Sequence, residues 1–451
     1  MTKPRFYLCS AVFAVAALTA CSGDKSTDEE KAEATAGTDD LPPLSDSVAL
    51  PIVFVHGGAG SAQQYASQAI RFAANGYPRE RIVAYDHDGA GFDVEQFLPG
   101  LEQVVDDTLE RFDVEQVYLV GHSRGTILST TYLSEPERAA KIAKYISLDG
   151  APCPEAVPCI DPNQNTLTGQ KHVEVATSKE SFVEQYKFFV GEEPDVVDIV
   201  KQAGPVEISG RAVNFPANTA LEGARLDVWE VDSATGKRSD DDPLATFDIA
   251  ADGAFGPVTV DPDKRYELVL YTPDSGRYQH FYPQPYLRSS QLERLLSGPP
   301  DSEARKHTNS GDGHAALTVL RMREWLASDV LEISVDSKSG DMDAQNVITE
   351  ENVFKDTMVG DRSVGEPIAL YIHDDEATPG ETTLDLLPWF PEQFFQSGID
   401  VYMPAADPPD GVITIKNLPR GDSDKPQTLN VPNWSSTNHV VMVLFSDFPQ
   451  E

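Results

Sequence analysis

The sequence feature that most constrains the fold is the run Gly121-His122-Ser123-Arg124-Gly125, which directly follows the apolar residues Val117–Val120. The G-x-S-x-G spacing is typical of a sharp strand-to-helix turn, which lifts a serine hydroxyl clear of a sheet and holds its backbone in strained dihedral angles. Glycines on either side of Ser123 keep side chains from colliding in so tight a turn. Because a lone match is a weak signal, the interpretation depends on the strand before it and on the helical pattern that Thr126 opens after it. Together they predict a nucleophilic serine at the edge of a sheet.

The region from Pro51 to Gly191 alternates strand-like apolar runs with helical stretches, the pattern that builds a parallel sheet with helices on both faces. The expected strands are Pro51–Val55, Arg81–Tyr85, Gln116–Val120 and Lys144–Leu148, and the expected helices Tyr65–Ala74, Val94–Phe112 and Thr126–Leu133. A last helix is expected before Gly191, where Thr177 and Glu180 form a capping box ahead of an apolar stripe.

Two partners for the serine can be sought along the chain, because a nucleophilic hydroxyl needs a base to take its proton and an acid to orient that base. Of the nine histidines, His172 is the best placed, on a loop just before the last predicted helix. Asp149 ends a predicted strand and would emerge beside Ser123, and the chain order serine, aspartate, histidine is that of α/β-hydrolases. Asp161 is the alternative acid, and His87 is the alternative base.

The first predicted strand runs into the glycine-rich turn His56–Gly60. In acyl transfer the developing oxyanion needs two preorganised N–H donors, usually one after the nucleophile and one from the loop after an early strand. Gly58 and Arg124 are the candidates for this oxyanion hole. His56 and His122, which flank the turn and the serine, are expected to have structural hydrogen-bonding roles. Phosphate binding is disfavoured, because the spacing fits neither G-x-G-x-x-G nor a P-loop.

Residues 1–21 have the layout of a secretory signal peptide, with basic residues followed by the apolar stretch Ala11–Ala20, which is too short to span a membrane. The stretch ends in Leu18-Thr19-Ala20-Cys21, which resembles the lipobox of bacterial lipoproteins. That resemblance implies a lipid on Cys21 as the membrane attachment, and an ordinary cleaved signal peptide is the alternative. Residues 22–47 are acidic and polar and are expected to form a disordered tether. We expect an exported protein, either an outer-membrane-anchored lipoprotein or extracellular.

Two cysteines remain once the signal is removed and Cys21 is lipidated. In an oxidising compartment Cys153 and Cys159 are expected to form a disulfide that closes a short loop, and two reduced thiols are the alternative. The formal net charge of −38 argues against a nucleic-acid partner. No cofactor and no metal is expected, because the acidic runs 239–242 and 336–343 lack the spacing of a calcium loop. The sequence does not predict the oligomeric state.

The second half of the chain is expected to be β-rich. After a catalytic domain at residues 48–191 and a linker at 192–204, residues 205–282 show short alternating strands with turn residues between them, as in a small β-sandwich. This module resembles carboxypeptidase regulatory-like and prealbumin-like domains. Residues 283–451 are expected to form a second β-rich domain, in which Arg321–Leu326 fits a strand or a helix.

Two aromatic clusters in this half could contact lipid or cover a site, but a place in the core is the favoured interpretation. The first contains Tyr271, Tyr278, Phe281, Tyr282 and Tyr286, and the second contains Trp389, Phe390, Phe394 and Phe395 with Pro388 and Pro391.

The first domain as a whole resembles bacterial lipases: residues 51–57 look like their oxyanion strand, 121–125 like their elbow, and 172–191 like their final histidine and helix. A closer resemblance is to two-part lipases, known from an archaeal example, in which a minimal α/β-hydrolase precedes a large β-rich region that contributes to lipid binding. The resemblance implies an α/β-hydrolase, with a mostly parallel sheet and helices on both faces, followed by all-β sandwich modules.

The resemblance also implies roles for particular residues: Ser123 as nucleophile, His172 as base, Asp149 as acid, and Gly58 and Arg124 as oxyanion donors. The expected activity is that of a lipase acting on acylglycerols, with lipid or another ester as substrate. A polyester depolymerase or polysaccharide acyl esterase is the alternative within enzymes, and a non-catalytic surface-binding lipoprotein is the alternative of another class.

Overall fold

A parallel sheet lies at the centre of the N-terminal half, with strand order β2-β1-β3-β4-β5. The computed structural model describes residues 41–448 apart from 274, 299–301, 303–305, 307–308, 351–352, 354–357, 360–361, 364, 376–379, 388–393 and 422–424. The strands are β1 (Ile52–Val55), β2 (Ile82–Tyr85), β3 (Val117–His122), β4 (Ile142–Leu148) and β5 (Cys159–Ile160). The expected parallel sheet is confirmed, and the short β5 adds an edge strand that the sequence had not indicated.

Helices cover both faces of this sheet. Side chains alternate along β1, so that Phe54 belongs to a buried cluster with Phe72 and Phe182 on one face, while Val55 belongs to a cluster with Leu101 on the other. β1 and β3 are buried along their whole lengths, which explains the continuous apolar runs Ile52–Val55 and Val117–Val120. The helices are α1 (Ala66–Ala74), α2 (Leu98–Phe112), α3 (Arg124–Leu133), α4 (Pro136–Ala139), α5 (Pro162–Asn165), α6 (Glu174–Thr177) and α7 (Lys179–Val190).

The start of α7 differs from the expected capping box. Ser178 is the N-cap, and its side chain accepts a hydrogen bond from the Ser181 N–H at 3.1 Å. The prediction of Thr177 as the cap was wrong, because Thr177 is the last residue of α6 and the chain turns one residue later. Gly191 ends α7 in the left-handed conformation, with φ of 94°, as expected from a C-terminal glycine.

The C-terminal half is built from β-strands in antiparallel and mixed sheets. The largest has the order β20-β19-β14-β23-β12-β11-β8-β9, and smaller sheets have the orders β10-β6-β13, with β7 beside β6, and β16-β15-β21-β22. The strands are β6 (Val206–Asn214), β7 (Thr219–Ala220), β8 (Arg225–Val231), β9 (Ala245–Asp248), β10 (Ala254–Val260), β11 (Arg265–Thr272), β12 (Arg277–Pro283), β13 (Ser290–Ser297), β14 (Leu317–Arg321), β15 (Val330–Ser337), β16 (Met342–Asn346), β17 (Met358–Val359), β18 (Arg362–Ser363), β19 (Ala369–His373), β20 (Gln396–Asp400), β21 (Gly411–Leu418), β22 (Gln427–Pro432) and β23 (His439–Phe445).

The boundary expected between residues 282 and 283 does not separate the sheets. The parallel pairing of β12 with β23 joins strands from both sides of it into one eight-stranded sheet, and β13 pairs with β6. Strands far apart in sequence pair here because each contributes apolar residues to the same buried layers. The segment Arg321–Leu326, which the sequence left open, contains only the last residue of β14 and otherwise no strand or helix.

The two halves are tied together by buried polar contacts. Asp86, at the carboxyl end of β2, contacts Arg294 at 2.8 Å and Arg211 at 3.0 Å. Burial alone would raise the pKa of Asp86, but Arg294 and other groups lower it below the ordinary value. Asn218 donates hydrogen bonds to the carbonyls of Gly60 and His87, at 2.8 and 2.9 Å. The described residues of both halves accordingly belong to one compact unit.

The expected signal peptide, Cys21 and most of the tether lie outside the described residues. Within residues 41–448, as far as they are described, no helix has both the length and the apolar character needed to cross a bilayer.

Candidate active site

Ser123 occupies the turn between β3 and α3, with φ of 52° and ψ of −123°. A non-glycine residue in such a conformation costs on the order of 1–3 kcal/mol and persists only where its surroundings fix it. The Ser123 N–H donates to the Leu148 carbonyl at 2.9 Å. A Cβ at Gly121 would lie 2.8 Å from the carbonyl oxygen of Gly125, and one at Gly125 would collide with the carbonyl of Val55. Both glycines of the elbow are therefore required by close backbone approach.

His172 and Asp149 are brought together beside the elbow. The His172 Nδ1–H donates to Asp149 Oδ2 at 2.5 Å. This hydrogen bond is the main cause that lowers the pKa of Asp149, against the effect of its partial burial. With the proton held on Nδ1, the neutral ring presents Nε2 as a hydrogen-bond acceptor. His172 and Ser123 line the same cavity.

The alternative acid and the alternative base are engaged elsewhere. Asp161 is the N-cap of α5, where its side chain accepts from the Gln164 N–H at 3.3 Å. Burial raises the pKa of Asp161. His87 stacks on His56 with ring centroids 3.9 Å apart, and its Nε2 bonds to the His56 carbonyl at 2.8 Å. The structure thus gives His56 and His87 hydrogen-bonding roles at the turn of residues 56–60.

His122 fixes the backbone of His172. Gln64 donates to His122 Nδ1 at 2.6 Å, so the proton of the His122 ring lies on Nε2, which donates to the His172 carbonyl at 2.6 Å. Burial, with a smaller contribution from His172, lowers the pKa of His122 to about 3. His122 is therefore neutral and its donor–acceptor pattern is fixed.

The expected oxyanion donors lie around Ser123. A Cβ at Gly57 would lie 2.9 Å from Ser123 Cβ, so the turn at residues 56–60 packs directly against the elbow. Gly58 lines the cavity, and Arg124 begins α3, where backbone N–H groups have no intrahelical partner. The Arg124 side chain has a separate role, because its guanidinium donates to the Asp88 carbonyl at 2.6 Å and so holds the neighbouring loop.

The β-rich half also holds the loop that carries His172. Glu324 is fully buried, and its carboxylate accepts hydrogen bonds from the Val173 N–H and, at 3.0 Å, from the Glu174 N–H. Burial raises the pKa of Glu324 despite these donors. The ring of Phe395 stacks on His172 at a centroid distance of 5.7 Å. Sequence reasoning missed Glu324, because the surrounding residues Arg321–Leu326 contain no motif that marks its carboxylate as a partner of the His172 loop.

A cavity of about 360 Å³ extends from Ser123 between the two halves of the chain. Many of the side chains that line it are apolar, among them Leu296, Leu320, Met322, Ile368, Ala369 and Phe394. Phe394 and Phe395 of the second aromatic cluster therefore line the site, whereas Pro388, Trp389, Phe390 and Pro391 lie outside the described residues. In the first cluster Phe281 and Tyr282 are buried in the core as expected, while Tyr278 is 43% exposed.

The loop after Asp149 is closed by a disulfide between Cys153 and Cys159, whose Cα atoms are 5.7 Å apart. This bond links the chain leaving β4 to β5. Among the described residues there is no group of three or more histidine, cysteine or acidic side chains that could hold a metal ion.

Comparison with known families defines the class of the first half. Residues 51–194 match the model of the alpha/beta hydrolase fold, residues 204–300 match the model of a lipase C-terminal domain, and residues 303–449 match a further C-terminal-domain model. The N-terminal half thus has the alpha/beta hydrolase fold, and the β-rich half begins with a region similar to a lipase C-terminal domain.

Solved structures are similar to part of the chain. A lipase from Bacillus licheniformis is 22% identical over 35% of this chain and 57% of that chain, with a TM-score of 0.21. An esterase from a marine microorganism is 18% identical over 33% and 56%, with a TM-score of 0.18. A lipase-esterase related protein from Clostridium acetobutylicum is 13% identical over 24% and 45%, with a TM-score of 0.19. The matches therefore span about half of each solved chain.

Proposed function

We propose that this protein is a serine carboxylic-ester hydrolase, a lipase that cleaves acylglycerols through an acyl-enzyme. The observation that carries the proposal is the 2.5 Å hydrogen bond from His172 Nδ1 to Asp149, beside an elbow serine that lines the same cavity. The matches to an α/β-hydrolase and to a lipase C-terminal domain support ester hydrolysis as the class of reaction.

In the proposed reaction Ser123 Oγ attacks the ester carbonyl while His172 Nε2 takes its proton. The carbonyl electron pair moves onto oxygen, and the N–H groups of Gly58 and Arg124 stabilise the resulting oxyanion. When the intermediate collapses, the bond to the alcohol breaks and His172 returns the proton to the departing oxygen. Asp149 stabilises the imidazolium formed in between and keeps Nδ1 protonated.

The second half of the cycle releases the acid. Water gives a proton to His172 and attacks the acyl-enzyme carbonyl, and collapse of the second oxyanion returns the proton to Ser123 Oγ. The apolar side chains that line the cavity favour a substrate with a hydrocarbon chain, because burial of apolar surface contributes roughly 25 cal/mol per Å². A polyester depolymerase is the second candidate, since the lining also contains polar side chains.

We also propose that the protein is exported and anchored through a lipid on Cys21, with residues 22–47 as a tether to the catalytic domain at residues 48–191. The disulfide between Cys153 and Cys159 supports this localisation, because such bonds persist in oxidising compartments. Fractionation of cells that express the full chain tests the anchor. Wild type should sediment with membranes and Cys21→Ser should be soluble, whereas equal sedimentation would contradict lipidation at this residue.

The test of activity is hydrolysis of p-nitrophenyl esters from short to long acyl chains by the chain without its signal. Ser123→Ala and His172→Ala should abolish turnover, and Asp149→Asn should nearly do so, whereas Asp161→Asn serves as the matched carboxylate control. Emulsified triglyceride compared with polymer film separates the lipase from the depolymerase. A folded protein that cleaves no ester would contradict the proposal and favour a non-catalytic surface-binding protein.

A further inference from the structure

The residues that line the cavity along strand β19 change from apolar at one end to polar at the other. Ala369, Tyr371 and His373 all line it, as expected from side chains that alternate between the faces of a strand. Ala369 marks the catalytic end, because its N–H donates to the Phe395 carbonyl at 3.2 Å and the Phe395 ring stacks on His172. His373 lies four residues further, which at the usual rise of a strand is about 13 Å away.

His373 is a buried polar group without a protein partner. Its residue exposure is 8%, and neither ring nitrogen has a hydrogen-bond partner among the described residues. Most buried polar side chains in folded proteins are satisfied, so a ring that leaves both nitrogens unpaired beside a cavity requires an explanation. A ligand in the cavity would supply the missing partner.

The state of the ring defines which ligand fits. Burial, with His314 close by, lowers the pKa of His373 to about 3, so the ring is neutral near pH 7. A neutral imidazole offers one N–H donor and one bare nitrogen acceptor. A hydroxyl, which also donates and accepts, complements it, whereas a carboxylate has no proton to donate to the bare nitrogen and gains no positive charge from a neutral ring.

We propose that the end of the cavity at His373 is a binding site for a neutral hydroxyl on the acyl chain, so that the enzyme selects hydroxyacyl esters. This inference rests on the ester-hydrolase function proposed above. An extended chain advances roughly 3.5 Å for every three bonds, so the span of about 13 Å from Ala369 to His373 alone corresponds to about eleven bonds.

The test measures kcat/KM for p-nitrophenyl esters of saturated acids with about six to about fourteen carbons, each compared with its ω-hydroxy and ω-carboxy counterparts. The readout is the ratio of the ω-hydroxy to the plain ester at each length. His373→Phe removes both ring nitrogens, and His373→Gln keeps a donor and an acceptor. Thr318→Val is the matched control, because Thr318 is buried, lines the cavity and pairs with Tyr371, nearer the catalytic end.

At the matching length the wild-type ratio should be roughly ten, the effect of one well-placed net hydrogen bond, and the ω-carboxy ester should be the poorest substrate. His373→Phe should bring the ratio to about one, His373→Gln should restore part of it, and Thr318→Val should keep it. A wild-type ratio near one at every length, or a preference that survives His373→Phe, would overturn the inference. If the folded wild type cleaved none of these esters, the result would instead refute the proposed function itself.

Discussion

Replacing Glu324 tests whether the β-rich half positions the histidine of the site. The Glu324 carboxylate accepts from the N–H groups of Val173 and Glu174, the two residues that follow His172. In Glu324→Ala both donors lose their acceptor, and a buried donor left unsatisfied costs about 1–3 kcal/mol. The observed position of the loop is therefore destabilised by about 2–6 kcal/mol relative to positions in which water reaches these groups.

This loss should appear in catalysis before it appears in global unfolding. A loop that relaxes toward solvent moves His172 relative to Ser123, and a displacement of about 1 Å from a reactive geometry costs on the order of 10²-fold in rate. We expect kcat/KM of Glu324→Ala to fall by about that factor, chiefly through kcat. Glu324→Gln retains one acceptor oxygen, so its decrease should be smaller, about tenfold.

The assay combines p-nitrophenyl ester kinetics with urea unfolding of the same preparations. Glu332→Ala is the matched control, because Glu332 is a partly exposed glutamate of the same half whose contact with Lys416 is 3.6 Å long. Removal of such a surface pair should change stability by less than about 1 kcal/mol and should leave kcat/KM at the wild-type value. If folded Glu324→Ala matched the wild type in kcat and KM, the Glu324 carboxylate would not position His172.

Three further predictions concern other contacts. Asp149→Asn should lower kcat/KM by about 10³- to 10⁴-fold, because it removes the carboxylate that orients and stabilises the imidazolium, and Asp161→Asn should not. Asp86 has a depressed pKa in the folded state, so its ion pair with Arg294 stabilises the protein above the ordinary aspartate pKa of about 4 and loses this effect as the pH falls through the folded value. The difference in urea midpoint between wild type and Asp86→Asn should therefore shrink below about pH 4, and an unchanged difference would contradict the ion pair. Cys153→Ser should lower the free energy of unfolding by about 2 kcal/mol, the entropy of closing so short a loop, and reduction of the wild type should give the same loss.

The N-terminal half could be predicted from sequence because its signals are local. The elbow around Ser123, the strand before it and the helix after it are neighbours along the chain, and β1 to β4 each contain a short, mainly apolar run. The sequence singled out Asp149 and His172 from their places beside a strand and a helix, and the structure brings them into contact. Chain order alone left Asp161 open as the acid. In the structure Asp161 caps helix α5, whereas Asp149 contacts His172.

The contacts between the halves could not be predicted, because they join residues far apart in sequence. Val173 and Glu324 are 151 positions apart, and nothing near Glu324 shows that its carboxylate is buried or what it accepts. The N-cap of α7 likewise could not be predicted from the local sequence, although the residues concerned are neighbours. Thr177 and Ser178 are both good caps, and only the packing of α6 decides between them.

The measurement that tests the central claim most directly is intact-mass analysis after treatment with a fluorophosphonate, which reacts with activated serine nucleophiles. Wild type should gain one phosphonyl group, peptide mapping should place it on Ser123, and Ser123→Ala should gain none. Equal labelling of Ser123→Ala, or no adduct on folded wild type, would contradict the assignment of Ser123 as the nucleophile.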